Sequence, residues 1–264
     1  MAVDGTLAVD RDGRGVATVT MNRPEVRNAF DDGLVAALLA AADALAADDA
    51  VRVVVLTGAG GVFSAGADLG WMRATRGYSH ADNLADAKRL AAMLRALHDL
   101  PKPLVGRVNG AALGGGVGLV AVCDVALTVA DATFGLPEVV LGLAPAVVSP
   151  YVVRKVGPSF ARAAFVTGAR FGAERARQVG LVHEVSVDAA ALDAAVAACV
   201  ERCLRAGPRA VAAAKRLPEG ALRPLDEAAA ATAEVIADLR VGAEAQEGMA
   251  AFLDRRAPPW APGS

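Results

Sequence analysis

The chain has 264 residues, 55% of them hydrophobic, and its 27 basic and 29 acidic residues leave a formal net charge of −2. A chain of this length and apolar content can bury a substantial core, as one large domain or two smaller ones. The near balance of charge argues against a nucleic-acid binder, which needs a broad basic surface, so we expect no nucleic-acid partner.

Membrane and metal signals are weak. No uninterrupted apolar run approaches the roughly 20 residues that span a bilayer, and residues 1–10 lack the basic start and apolar centre of a signal peptide. We therefore expect a cytoplasmic protein that makes no use of a membrane. The three histidines lie far apart and no HxxxH or CxxC spacing occurs, so we expect no metal site.

The first elements along the chain are a predicted hairpin and helix. Residues 7–10 and 16–21 carry strand patterns on either side of a turn-rich segment, which is typical of a β-hairpin. Apolar residues at helical spacing over 34–45 predict a helix of about four turns. Asp31 or Asp32 would cap its first turn.

Strand and helix patterns then alternate. A run over 51–57 that is dominated by Val and Leu, with no polar alternation, fits a strand that is covered on both faces. A helical pattern over 84–97 leads to an apolar strand over 104–108, and a glycine-rich helix over 114–123 leads to another over 125–129. These repeated units predict an α/β core.

The last hundred residues have a different composition. Beyond about Ser159 the strand signal nearly vanishes, and Ala, Leu, Glu and Arg dominate through Arg256. We predict helices there that pack against another subunit. We therefore divide the chain into a core over residues 1–195 and a C-terminal helical region over residues 196–264.

Two glycine-bearing segments, 63–69 and 108–116, follow predicted strands. A loop of glycine and alanine before a helix presents free backbone N–H groups, and the helix N-terminus adds partial positive charge. Two such amides converging on one point would form an oxyanion hole. The alternative for the glycines 114–116 is a helix that packs tightly on its neighbour.

Glu138 is the one charged residue in a run of more than twenty. A buried carboxylate has a raised pKa and can act as both acid and base. The alternative is an exposed loop glutamate, or a charge that caps a helix.

Taken in order, several segments closely resemble the enoyl-CoA hydratase/isomerase (crotonase) superfamily in content and spacing, over about residues 16–185. The stretch 140–153 is similar to bacterial methylglutaconyl-CoA hydratases. The segments that carry the superfamily resemblance are 21–24, 28–30, 54–58, 63–69, 109–116, 123–124 and 134–138.

The resemblance implies a fold and an assembly. The expected fold class is α/β, a spiral of repeated ββα units followed by a C-terminal helical trimerisation region. The expected state is a homotrimer or a homohexamer. The acyl-CoA thioester is the substrate, so no separate cofactor is implied.

The resemblance also implies roles for individual residues. The N–H groups of Ala67 and Gly115 would bind the thioester oxygen, and Glu138 would move the proton. Phe252 and Arg255 would approach CoA, with a solvated basic helix end as the alternative for them. The implied substrate contacts are Val26, Arg27, Ala29, Ala65, Ala67, Asp68, Leu69, Gly115, Gly118, Phe252 and Arg255.

One position departs from the family pattern. Hydratases commonly carry a second glutamate where this chain has Gly118, whereas family members that shift a double bond from β,γ to α,β work with one glutamate. Hydration and isomerisation therefore both stay open, and the similarity over 140–153 favours hydration. A noncatalytic acyl-CoA binder is a third hypothesis. A dinucleotide enzyme is disfavoured, because Glu138 follows Pro137 rather than ending a second buried strand.

Overall fold

The computed structural model describes residues 2–3 and 5–263. Its strands are β1 (Ala2–Val3), β2 (Leu7–Arg11), β3 (Val16–Met21), β4 (Val53–Gly58), β5 (Val62–Ser64), β6 (Leu104–Val108), β7 (Ala111–Leu113), β8 (Val125–Val129), β9 (Thr133–Gly135), β10 (Arg170–Gly172) and β11 (Glu184–Ser186). Its helices are α1 (Asp32–Ala47), α2 (Leu69–Thr75), α3 (His80–His98), α4 (Gly115–Val122), α5 (Ser149–Thr167), α6 (Ala173–Gln178), α7 (Ala189–Leu204), α8 (Pro208–Gly220), α9 (Leu225–Val241) and α10 (Ala243–Leu253).

The strands form two sheets that the chain visits in turn. The large sheet has the order β1-β2-β3-β4-β6-β8-β11 and the small sheet the order β10-β9-β7-β5. From β4 to β9, each turn of chain places one strand in the large sheet and the next in the small sheet, and then forms a helix. β10 afterwards joins the small sheet, and β11 joins the large one. This arrangement is the predicted spiral of ββα units.

The predicted hairpin and buried strand are both confirmed. β2 and β3 pair antiparallel, with Val9 opposite Val19, and β3 then pairs parallel with β4. All six residues of β4 are buried, because parallel strands in such folds are covered on both faces. Asp31, not Asp32, caps α1, since its side chain accepts the N–H of Leu34 at 2.8 Å.

The sequence analysis missed the short strands. β5 and β7 have three residues each and lie in segments that we interpreted as loops. β9 also has three residues, in a segment for which we predicted no strand, and β10 and β11 lie beyond Ser159. Such strands are specified by pairing with partners distant in sequence rather than by local β propensity. The predicted helical region after Ser159 is confirmed, and β10 and β11 are short exceptions that each lie at one edge of a sheet.

The C-terminal helices begin against the sheet and end away from it. α7 packs against β4, β6, β8 and β11, and α8 to α10 pack on one another. The expected boundary between residues 195 and 196 falls inside α7, so the division there stays a prediction. None of the helices within the described ranges is both long and apolar enough to cross a membrane.

Candidate active site

The turn before α1 is fixed by a buried asparagine. The Asn28 side chain accepts the N–H of Arg23 at 2.9 Å and donates to the carbonyls of Ala59 and Val62 at 2.9 and 2.8 Å. Arg27 and Asn28 both have left-handed backbone angles, with φ of 57° and 53°. These bonds tie the turn to the end of β4 and the start of β5.

The two segments predicted to contact CoA lie side by side. The N–H of Ala65 donates to the carbonyl of Arg27 at 2.9 Å, and the N–H of Phe30 donates to Gly66 at 2.6 Å. The N–H of Asp68 donates to the carbonyl of Phe30 at 2.9 Å. The two segments therefore form one edge, whose contact with CoA stays a prediction.

The four other predicted contacts in these segments differ in exposure. Leu69 is largely exposed at the start of α2, and Ala67 is also exposed. Val26 is partly exposed in the 3-10 turn Pro24–Val26. Ala29 is buried, so a ligand would meet its main chain rather than its methyl group.

Gly66 and Gly114 bring the two predicted oxyanion loops into contact. Their φ values are +85° and +52°, which side chains rarely adopt. A Cβ atom on Gly66 would lie 2.8 Å from the carbonyl oxygen of Leu113 and 3.7 Å from the Cα of Gly114. Only glycine fits this approach, which places the residues just before Ala67 and Gly115 against each other.

The amides of Ala67 and Gly115 are available to a ligand. Within residues 5–263, neither N–H donates to a protein acceptor. Gly115 is the first residue of α4, where backbone N–H groups have no intrahelical partner. The Phe30 ring packs on Gly115, since a Cβ there would lie 2.4 Å from Phe30 Cε2. The arrangement suits a single acceptor oxygen held by two amides.

Glu138 lies beside these loops, in the 3-10 turn Pro137–Leu141. The N–H groups of Gly142 and Leu143 donate to its carbonyl and hold its main chain. Its Oε1 would lie 3.1 Å from a Cβ atom on Gly114. Its Oε2 is buried and has no hydrogen-bond partner among the described residues.

Burial controls the acidity of this carboxyl. It raises the pKa of Glu138 above its ordinary value, and the residue's own backbone N–H opposes this to a smaller extent. α4, β7 and the segment 139–148 contain no charged residue. A carboxyl with a raised pKa holds its proton to a higher pH than an exposed glutamate does, and can pass it to a substrate.

Asp68 anchors the start of α2 next to Ala67. Its side chain accepts the N–H groups of Gly70 and Trp71 at 2.7 and 3.1 Å, and Arg23 lies 3.2 Å away. Burial alone would raise the pKa of Asp68, but the two N–H groups and Arg23 together lower it. Asp68 is therefore an ionised cap that fixes the start of α2 next to Ala67.

The sequence analysis assigned no role to Arg23 or to Trp71. Arg23 donates to the carbonyl of Ala29 at 2.7 Å and pairs with Asp31 at 2.9 Å as well as with Asp68. The signal available was a basic residue next to a proline inside a recognised segment. The Trp71 indole Nε1 is buried without a partner among the described residues, and no local pattern indicated that.

Gly118 is covered rather than open. It is buried, and a Cβ atom there would lie 2.4 Å from Val148 Cγ1 and 3.7 Å from Leu94 Cδ2. Direct contact between Gly118 and substrate would require Val148 to move. The place of the missing second glutamate is filled by an apolar side chain.

Phe252 and Arg255 lie apart from the other predicted residues. Phe252 lies on α10 and lines a cavity of about 550 Å³ together with Met249, Leu253 and Trp260. None of the other predicted site residues lines this cavity. Arg255 follows α10, with a left-handed φ of 57°. The contact of these two residues with CoA therefore stays a prediction.

Comparison with known proteins identifies the family of this chain. The profile of the family described as enoyl-CoA hydratase/isomerase matches residues 11–262. The 2,3-dehydroadipyl-CoA hydratase of Escherichia coli is 36% identical over 96% of this chain and 97% of its own length. A putative enoyl-CoA hydratase of Thermus thermophilus is 34% identical over 92% and 96%.

A solved structure gives the same result for the fold. Pseudomonas aeruginosa AtuE superposes with a TM-score of 0.93 at 39% identity, over 97% of this chain and 99% of that one. The spiral of ββα units, the paired glycine loops and the sequence matches over nearly the whole chain lead to one assignment. This chain belongs to the enoyl-CoA hydratase/isomerase family.

Proposed function

We propose that the protein adds water to the double bond of a 2-enoyl-CoA thioester, and catalyses the reverse elimination. The observation that carries the proposal is the buried, unpartnered carboxyl of Glu138 beside Gly114. It lies next to loops whose two free amides can hold a thioester oxygen. An acid–base group beside an oxyanion hole is the arrangement that enolate chemistry requires.

The mechanism follows from these groups. The N–H groups of Ala67 and Gly115 bind the thioester oxygen and stabilise the negative charge that develops there. Water attacks C3, Glu138 accepts a proton from it, and C2 of the enolate receives a proton from Glu138. The net change is one water molecule added across C2 and C3. No cofactor beyond the CoA of the substrate is needed.

The acyl group is the least constrained part of the proposal. The relatives support a hydratase, and one of them is named for 2,3-dehydroadipyl-CoA. The similarity of 140–153 to methylglutaconyl-CoA hydratases supports a branched substrate. The uncharged surroundings of Glu138 favour an apolar group at C3 and C4.

An isomerase is the second candidate, and the cover over Gly118 favours it. A second carboxylate is absent and Val148 fills its place. Glu138 alone would then remove a proton from C2 of a 3-enoyl thioester and return it to C4. The amides of Ala67 and Gly115 would have the same role in both reactions.

The proposal extends to assembly and location. Val241, Phe252 and Leu253 are exposed apolar side chains on α9 and α10, which supports the predicted homotrimer or homohexamer. Phe252 and Arg255 would then meet the CoA bound by another copy. We place the enzyme in the cytoplasm, acting on small acyl-CoA molecules.

The test is incubation of the purified protein with crotonyl-CoA, methylglutaconyl-CoA and a 3-enoyl-CoA. Thioester absorbance and product mass are followed together. Added mass of one water supports the hydratase, and the fastest substrate identifies the acyl class. A shift of the double bond without a change in product mass supports the isomerase. Saturable binding without conversion of any substrate would contradict both and indicate a noncatalytic acyl-CoA binder.

A further inference from the structure

The segment 138–148 touches α4 at both of its ends. Its first residue, Glu138, places a carboxyl oxygen against Gly114, and its last, Val148, places a methyl group against Gly118. The N–H of Gly118 donates to the carbonyl of Gly114, so the two contacts are one helical turn apart. A carboxyl and a valine therefore border consecutive turns of α4.

Val148 is held firmly in this place. Its side chain is 3% exposed, and α5 packs against both α4 and the turn that carries Glu138. Its carbonyl accepts the N–H groups of Tyr151 and Val152, both at 3.1 Å, at the start of α5. Moving Val148 away from Gly118 would disturb the first turn of that helix.

The carboxyl has no polar competitor on this side. Neither α4 nor the segment 139–148 contains a charged residue, and α5 has none before Arg154. No charged group of a neighbouring element acts on the acidity of Glu138 among the described residues. Val148 thus belongs to the uncharged surroundings of α4, one helical turn from the place where Glu138 contacts Gly114.

We propose that Val148 is a positioning residue for Glu138, which fills the space over Gly118 and keeps water and any second polar group away from the carboxyl. The inference rests on the proposed function, since it assumes that Glu138 is the acid–base group. It assigns to one buried valine the place that a second glutamate would take. The raised pKa of Glu138 is consistent with this role.

The experiment compares two substitutions of Val148 with one control substitution elsewhere in the core. Val148→Thr is nearly isosteric and adds a hydroxyl beside the site. Val148→Ala removes two methyl groups and opens the space to water, and it keeps the test available where the threonine variant does not fold. Val200→Thr is the control, because Val200 is also 3% exposed but lies on α7.

The readout is the titration of Glu138 in protein with carboxyl-labelled glutamate, followed by carbon-13 NMR. The Glu138 signal is identified by its absence in Glu138→Gln. We expect both Val148 variants to lower its titration midpoint by at least about half a pH unit, while Val200→Thr leaves it unchanged. Midpoints equal to that of the wild type, or an equal shift in Val200→Thr, would overturn the proposal.

Hydration of crotonyl-CoA is measured on the same samples. Lowered midpoints in a protein that converts no enoyl-CoA would overturn the proposed function and support the role of Val148. Turnover of crotonyl-CoA together with unchanged titration midpoints would support the proposed function and overturn the role of Val148. The failures of the two proposals are thereby distinguishable.

Discussion

The start of α4 and the C-terminal helices differ in how completely one chain covers their apolar surfaces. Around α4, a single chain fills the space so closely that Gly66, Gly115 and Gly118 have no room for a Cβ atom. On α9 and α10, large apolar side chains such as Phe252 and Leu253 remain exposed. One region is complete within a chain, whereas the other leaves a surface that a second chain would cover.

The closely packed region also contains polar groups that have no hydrogen-bond partner among the described residues. Near α4 the apolar packing is complete, yet the Oε2 of Glu138 and the amides of Ala67 and Gly115 have no protein partner within residues 5–263. An unpartnered buried polar atom costs on the order of 1–3 kcal/mol. The buried Oε2 of Glu138 carries this cost in a closely packed region, which supports a functional role for that carboxyl.

The largest expected effect is the loss of turnover when the carboxyl of Glu138 is replaced. Glu138→Gln keeps the shape of the side chain and removes its acid–base capacity, so turnover should fall by about 10²- to 10⁴-fold. Binding of the thioester should change little, because the amides of Ala67 and Gly115 remain. Steady-state kinetics and calorimetric titration measure the two quantities. Glu174→Gln, on α6, is the control, and equal activity of the two variants would refute the role of Glu138.

The second effect addresses the exposed region. Leu253→Asp puts a charge on a side chain that is 78% exposed in one chain and buried in the proposed assembly. Association should weaken by about 2 kcal/mol or more for each interface, which is about 30-fold in the dissociation constant. Analytical ultracentrifugation measures it. Val187→Asp, at an exposed apolar position outside these helices, should leave assembly intact, and unchanged assembly in both variants would contradict the account.

A third test concerns the tightness of the site. Gly115→Ala forces a methyl group into the Phe30 ring, so the free energy of unfolding should fall by about 1–3 kcal/mol. Gly61→Ala is the control, because apart from its two chain neighbours no described residue has an atom within 4 Å of its new methyl group, and it should change stability by less than about 0.5 kcal/mol. Urea denaturation gives both values. Equal stability of the two variants would show that the close packing of Phe30 on Gly115 is not what the structure indicates.

The smallest effect is the pH dependence of stability that Glu138 introduces. Its folded pKa is raised by burial, so the folded state binds the proton more tightly than the unfolded chain does. Its contribution is fully present below the unfolded pKa of about 4.3 and is lost as pH rises through the folded pKa. The melting temperature of Glu138→Gln, taken relative to that of the wild type, should therefore rise as the pH is raised from 4 to 8. A difference that does not vary with pH would contradict a raised pKa.

The sequence predicted those features that depend on local pattern. The run 51–57 indicated a buried strand because it is rich in Val and Leu without regular polar alternation, and β4 follows it closely. Glu138 stood out because a single charge in a long uncharged stretch has few structural explanations. The strands β5, β7 and β9 were missed, since three residues carry too little periodicity to detect.

Contacts between distant parts of the chain could not be predicted. Val148 covers Gly118 from thirty residues away, and neither residue carries a pattern that points to the other. Arg23 joins Asp31 and Asp68 in the same way, through tertiary contacts. Such contacts decide whether a glycine in a family motif is an open ligand site or a packed surface, and only the fold supplies them.

The most direct test of the central claim is exchange of the C2 protons of a saturated thioester, butyryl-CoA, in deuterated water. This measures enolate formation and proton return without any need for hydration or isomerisation. The account predicts that the wild-type protein replaces a C2 proton with deuterium, as seen by proton NMR and product mass, and that Glu138→Gln does not. Exchange that persists in Glu138→Gln would contradict the claim that Glu138 moves the proton, as would a wild-type protein that turns over enoyl-CoA without any exchange.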